Sequence, residues 1–228
     1  MRRAVLVSLV LFLVSMFVAA KWDKADREVF YLNKVNSEVT EVSKYDYDSI
    51  PTLEQQESAD TLVRESYESA QKYGWFDYES GLNDGFELSF KGSGDGVHYV
   101  SPKNSFDDKL LDPDYPEYLM YYDTPLGKKL FGFMYFVRTP DEIGPQVGGP
   151  LTLWHYHEWS DGRCLIGGLL KSAKDENGNC IEGDLTYKSP QMLHVWFVDH
   201  PKGPFATQMS LPYDLREKFS HDEKLIQR

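Results

Sequence analysis

The chain has 228 residues, with 24 Lys and Arg against 36 Asp and Glu, and a net charge of −12 at pH 7. No Lys/Arg cluster offsets that excess, so phosphate backbones and anionic membrane surfaces are repelled and nucleic acid is excluded as an expected partner. The length suits one domain with a substantial core, and aromatics at 14%, with 15 Tyr and 13 Phe, favour strands and half-buried sheet faces.

Arg2 and Arg3 open the chain, Ala4 to Ala20 follow without a charge, and Val18-Ala19-Ala20 puts small residues where a signal peptidase reads. Residues 1–20 are therefore read as a signal peptide cleaved after Ala20. The uncharged run is also at the lower limit for spanning a bilayer, so a retained membrane tether through residues 4–20 is the alternative. Either way the remainder is expected outside the cytoplasm: secreted, periplasmic or anchored to the outer face of the membrane. Loss of Arg2 and Arg3 leaves 22 basic residues against 36 acidic ones, a charge of −14.

Residues 21–50 are polar and irregular and read as a spacer; residues 51–228 read as a helix plus a β-rich domain. Pro51-Thr52 predicts a helix start, with Thr52 as cap and Glu54 and Glu57 at the positive end of the dipole. Leu53, Ala59, Leu62, Val63, Tyr67 and Ala70 recur at helical spacing, and Gly74 ends the run. After Gly85 the period changes, and short apolar and aromatic runs alternate with Gly, Pro, Asp and Asn clusters. Strands are predicted at 86–90, 97–100, 118–122, 129–137, 151–157, 164–170 and 192–198. The run from Asp123 to Gly127 reads as a hairpin loop, and that from Asp175 to Asn179 as a further turn. Seven short strands without intervening helices predict a mainly β fold, an antiparallel sandwich or barrel, with one N-terminal amphipathic helix.

The histidines carry the chemistry. In a strand alternate side chains share a face, so His155 and His157 of Leu151-Thr-Leu-Trp-His-Tyr-His157 point together. His194, in Met192-Leu-His-Val-Trp-Phe-Val198, and His98, in Gly96-Val-His-Tyr-Val100, stand in similar apolar strands. An imidazole in such surroundings is costly to bury unless its nitrogens are hydrogen-bonded or metal-bound. The set predicts a transition-metal site of copper, zinc or iron, with Glu158 and Asp161 as oxygen ligands or partners that orient an imidazole. Addition of Met192 or Cys164 to the ligands leans toward copper. The bland reading makes each of these a hydrogen-bonded core histidine. His200 and His221 read as surface residues.

Cys164 and Cys180, an even number in an exported chain, predict a disulfide worth about 3 kcal/mol. The competing reading keeps Cys164 as a thiolate ligand. The aromatics Trp154, Tyr156, Trp159 and Trp196 allow a different function, in which an exposed surface stacks on sugar rings or docks an envelope protein without metal.

Gly149, His155, His157, Asp161 and Gly168 are spaced as in the first metal-binding motif of the cupins, with Asp where that motif has Glu. The second cupin motif is matched less closely: Pro190-Gln-Met-Leu-His194 is one residue short and lacks the Gly and the later Asn. This resemblance implies a cupin-like barrel holding a metal through its histidines. A broader stretch, about residues 60–206, resembles a family of exported bacterial and archaeal proteins with no assigned activity. It is carried by the Leu82-Asn-Asp-Gly-Phe86 entry, Gly96 to Val100, Leu111 to Leu119, Leu130 to Val137, Leu193 to Trp196 and Pro201 to Ala206. That resemblance implies a shared fold and draws attention to His98 and His194, although the cysteine-containing finish of some relatives is missing here. The expected function is therefore an extracytoplasmic metal-binding protein, with a metal-free glycan- or protein-binding module as the alternative.

Overall fold

A computed structural model describes residues 30–35, 39–43, 49–91, 96–167, 170–209, 211 and 217. The expected signal segment and the charged tail with His221 lie outside these residues. No helix among the described residues is long and apolar enough to cross a membrane.

The long helix, α1 (Leu53–Lys72), forms where the spacing predicts it. Thr52 and Gln55 make a reciprocal capping box: Gln55 N–H donates to Thr52 Oγ1 at 3.2 Å, and Thr52 N–H donates to Gln55 Oε1 at 2.8 Å. Gly74 takes φ +73°, which lets Trp75 N–H reach back to the Ala70 carbonyl and Gly74 N–H to that of Gln71. Those two bonds close the helix in a Schellman turn. Ala59, Leu62, Val63 and Ala70 are buried as predicted, whereas Leu53 at the first turn is 84% exposed. Two short helices, α2 (Tyr78–Asn83) and α3 (Pro102–Ser105), were not predicted.

The fold is mainly β and wholly antiparallel, with an eight-strand path that curves until it nearly closes into a barrel. In chain order the strands are β1 (Phe30–Val35), β2 (Val39–Ser43), β3 (Glu87–Lys91), β4 (Gly96–Val100), β5 (Tyr118–Thr124) and β6 (Gly127–Phe136). The remainder are β7 (Trp154–Ile166), β8 (Leu170–Ser172), β9 (Asp184–Lys188) and β10 (Met192–Trp196). They are ordered β1-β2-β7-β10-β6-β5-β4-β3, and β8 and β9 pair with the far half of β7.

Several boundaries differ from the sequence reading. The stretch read as a spacer supplies β1 and β2, and β2 pairs with β7. The predicted strands 151–157 and 164–170 are largely one strand, because β7 runs unbroken through Cys164, while Gly149–Leu151 forms a 3-10 turn before it. The hairpin loop between β5 and β6 is tighter than predicted: Thr124 pairs with Gly127, whose φ of +93° completes a two-residue connection at Pro125-Leu126. The turn at Asp175 is held by that residue's carboxylate, which accepts from Asn177 N–H at 2.9 Å and Asn179 N–H at 2.8 Å.

Strand alternation sorts the interior into two layers. One face carries Val97, Tyr99, Leu119, Tyr121, Phe133, Tyr135, Leu193 and Val195 and packs under α1. Here Ser66 of the helix hydrogen-bonds Tyr135 at 3.1 Å. The other face carries Val100, Tyr118, Met120, Met134, Phe136, Met192 and Trp196, and the chain returning through Ala206, Met209 and Leu211 packs against it. Trp154 and Trp196 are fully buried, one in each layer, and truncating such a ring costs about 3–5 kcal/mol.

Candidate functional site: a row of buried histidines

The second face is where the histidines converge. In an antiparallel ladder, directly opposed residues share a face. His98 on β4 opposes Met120 on β5, His194 on β10 opposes Met134 on β6, and His155 on β7 opposes Met192 on β10. Met134 in turn opposes Tyr118, two residues from Met120 on the same strand, so all these side chains lie on the face away from α1. On its other side β7 pairs with β2, where the register sets Glu41 across from His155 and Val39 across from His157.

The four imidazoles form a continuous series. Ring centres are 6.1 Å apart between His157 and His155, 4.7 Å between His155 and His194, and 5.9 Å between His194 and His98. The first of the series is half-buried and stacks on Trp159, with centres 6.1 Å apart and planes 13° apart. The other three are buried, at 1%, 2% and 1% exposure for His155, His194 and His98. The series thus runs from the edge of the domain into its core.

Hydrogen bonds fix the tautomers of two members. A carbonyl can only accept, so His194 Nδ1–H donates to the Ala206 carbonyl at 3.1 Å, and His155 Nδ1–H donates to that of Leu153 over a longer 3.4 Å. In both rings Nε2 is then the unprotonated nitrogen, the arrangement in which a backbone carbonyl presents an imidazole as a ligand. Ala206 also accepts from Trp196 Nε1–H at 2.7 Å, so one carbonyl bonds two side chains of β10, His194 and Trp196.

Burial keeps these rings neutral. Desolvation, reinforced by neighbouring imidazoles, pulls His98 and His155 well below the usual histidine range, and it brings His194 down to about 3 despite the opposing bond to Ala206. Metal binding requires this uncharged state. An imidazole bound through nitrogen at about 2.0 Å has its centre about 3 Å from the ion, so two at a tetrahedral angle have centres about 5 Å apart. The separation of His155 and His194 is close to that figure. Among the described residues, however, no group of three or more His, Cys, Asp or Glu side chains is in a metal-holding arrangement.

The other predicted site residues fall away from the row. Glu158, next to His157 in an extended strand, takes the opposite face and stands across from Lys188 of β9. Asp161 is exposed, and its backbone carbonyl accepts from Lys174 Nζ at 2.7 Å. Cys164 is bonded to Cys180 and so supplies no thiolate. Trp154 and Trp196, buried in the two layers, cannot form an exposed sugar-stacking patch with Trp159.

One residue was misread from sequence. His200 is 7% exposed, because the turn at Lys202 and Gly203 folds its ring against Trp196, with centres 5.0 Å apart. Lys202 N–H donates to its Nδ1 at 3.1 Å, so Nε2 carries the proton and is no ligand as it stands. Asp199 and Pro201 beside it suggested a surface turn; the covering ring of Trp196 left no local signal. The chain matches no known protein family, no curated protein and no solved structure, so its chemistry must be read from these residues.

Proposed function

We propose that this chain is an extracytoplasmic metal-binding protein whose ion sits on the histidine row, between His155 and His194, with His157 at the entrance and His98 behind. The observation that carries the reading is convergence: four imidazoles from β4, β7 and β10 meet in one series on a buried face. A core built only for packing has no need of three neutral, nearly inaccessible histidines, each costly to desolvate. The Nε2 atoms of His155 and His194 are presented for ligation by carbonyls that hold the opposite nitrogen. The cupin-like spacing implies His155 and His157 as joint ligands; the proposed site keeps His155, sets His157 at its entrance and leaves the exposed Asp161 outside. The disulfide fits an oxidising compartment and supports the extracytoplasmic placement expected from residues 1–20.

The test is metal retention in a His155→Ala/His194→Ala variant beside the parent chain. Both are purified without a histidine tag and checked for fold by circular dichroism. A folded variant that has lost the parent's metal supports the site; a folded variant with unchanged metal content refutes it.

A further inference from the structure

Resting on that reading, we infer that the ion is copper(I), held by His155 and His194 Nε2 together with the thioether sulfurs of Met192 and Met134. The observation is the pairing described above. Each of the three buried histidines of the row stands directly opposite a methionine on the neighbouring strand: His98 with Met120, His194 with Met134, His155 with Met192. Opposed side chains in such a ladder have Cβ atoms about 4.5–5.5 Å apart, within reach of a shared ion. Met209, the other methionine of the described residues, packs against the same layer, with its methyl carbon over Gly96. Methionine is thus absent, among the described residues, from the layer under α1 and from the surface, and gathered where the histidines are.

The donor chemistry then discriminates among metals. Zinc in proteins takes thiolate, imidazole and carboxylate, usually four in number. Both cysteines are consumed by the disulfide, and three such donors are not assembled among the described residues. Thioether together with imidazole is a donor set that suits a soft ion such as copper(I). Charge points the same way. Desolvation is the first cause that keeps His98, His155 and His194 neutral, and the charged groups named with it are other histidines and, for His98, Lys171. The cost of burying an ion grows with the square of its charge, so among neutral donors a singly charged ion incurs about a quarter of the penalty of a doubly charged one. The acidic residue closest in register is Glu41, across from His155 on β2, and the experiment therefore includes it.

The full chain, purified without a tag, is titrated anaerobically with copper(I) against a chromophoric copper(I) chelator, and separately with zinc(II). The variants are Met134→Leu/Met192→Leu, a volume-conserving exchange that cores tolerate, and Glu41→Gln. Copper(I) should be taken from the chelator in preference to zinc(II). The double methionine variant, still folded, should bind copper(I) at least about tenfold more weakly, since even outer partners of metal ligands cost that much. X-ray absorption of the loaded parent should show a sulfur shell that the variant lacks. Unchanged copper(I) affinity in the methionine variant, or zinc(II) binding that is tighter and depends on Glu41, overturns the thioether assignment and leaves the histidine reading standing. Failure of the parent to bind copper or zinc overturns both.

Discussion

Removing the disulfide gives a perturbation whose size follows from the structure. Cys164 lies 2% exposed in β7, and Cys180 pairs with Lys174 in an isolated bridge, so the bond closes a loop with a sequence separation of 16. Loop-closure entropy for that length is worth about 3 kcal/mol at 25 °C. A protein of this size loses about 2–4 °C in Tm per kcal/mol, so Cys164→Ala/Cys180→Ser should lower Tm by about 6–12 °C. Thermal unfolding followed by circular dichroism, for the variant and for the parent with and without reductant, measures the shift. Metal content should not change, because His155 and His157 lie on the opposite half of β7 from Cys164. A Tm drop below about 2 °C would contradict this, by showing that the β7–β8–β9 segment does not unfold with the rest of the domain.

Two further predictions concern α1 and the buried acid. Thr52→Ala removes one half of the capping box and should cost about 1 kcal/mol, read as a lower urea midpoint with unchanged slope; an unchanged midpoint would mean that the helix is held by packing alone. Glu117 is 4% exposed, and burial, only partly offset by backbone N–H groups of Glu117 and Phe136, pushes its carboxyl well above the usual range of about 4.5. Between that value and the raised one, the folded state holds a proton that the unfolded chain has released, so this group subtracts stability as pH rises through the window. Glu117→Gln should therefore gain stability relative to the parent as pH rises from 5 to about 8, measured by urea unfolding at each pH; parallel curves would contradict the assignment.

Much of this architecture was legible because its signals are local. The helix was specified by Thr52, an apolar stripe and Gly74, all within one segment. Strand periodicity put His155 and His157 on one face before any partner strand was known. What stayed hidden depends on pairing across the chain. That β10 lies between β6 and β7, so that His194 meets His155 and each buried histidine meets a methionine, follows from register and not from any local pattern. β9 was missed although Asp184–Lys188 alternates polar and apolar residues, because the run is short and its apolar members, Leu185 and Tyr187, are exposed and lie outside the core. β1 and β2 were missed because the polar residues on either side made 21–50 read as one spacer, although Phe30, Tyr31, Leu32 and Val35 stand together in β1. His200 was misplaced for a related reason: its burial comes from Trp196 and from the turn after it.

The central claim, that the histidine row holds a transition metal, is tested most directly by elemental analysis of the tag-free protein from an export-competent host. About one equivalent of metal per chain, copper foremost, is expected. A folded protein that carries none, and takes up none on reconstitution with copper(I), zinc(II) or iron(II), would contradict it and leave the row as hydrogen-bonded core.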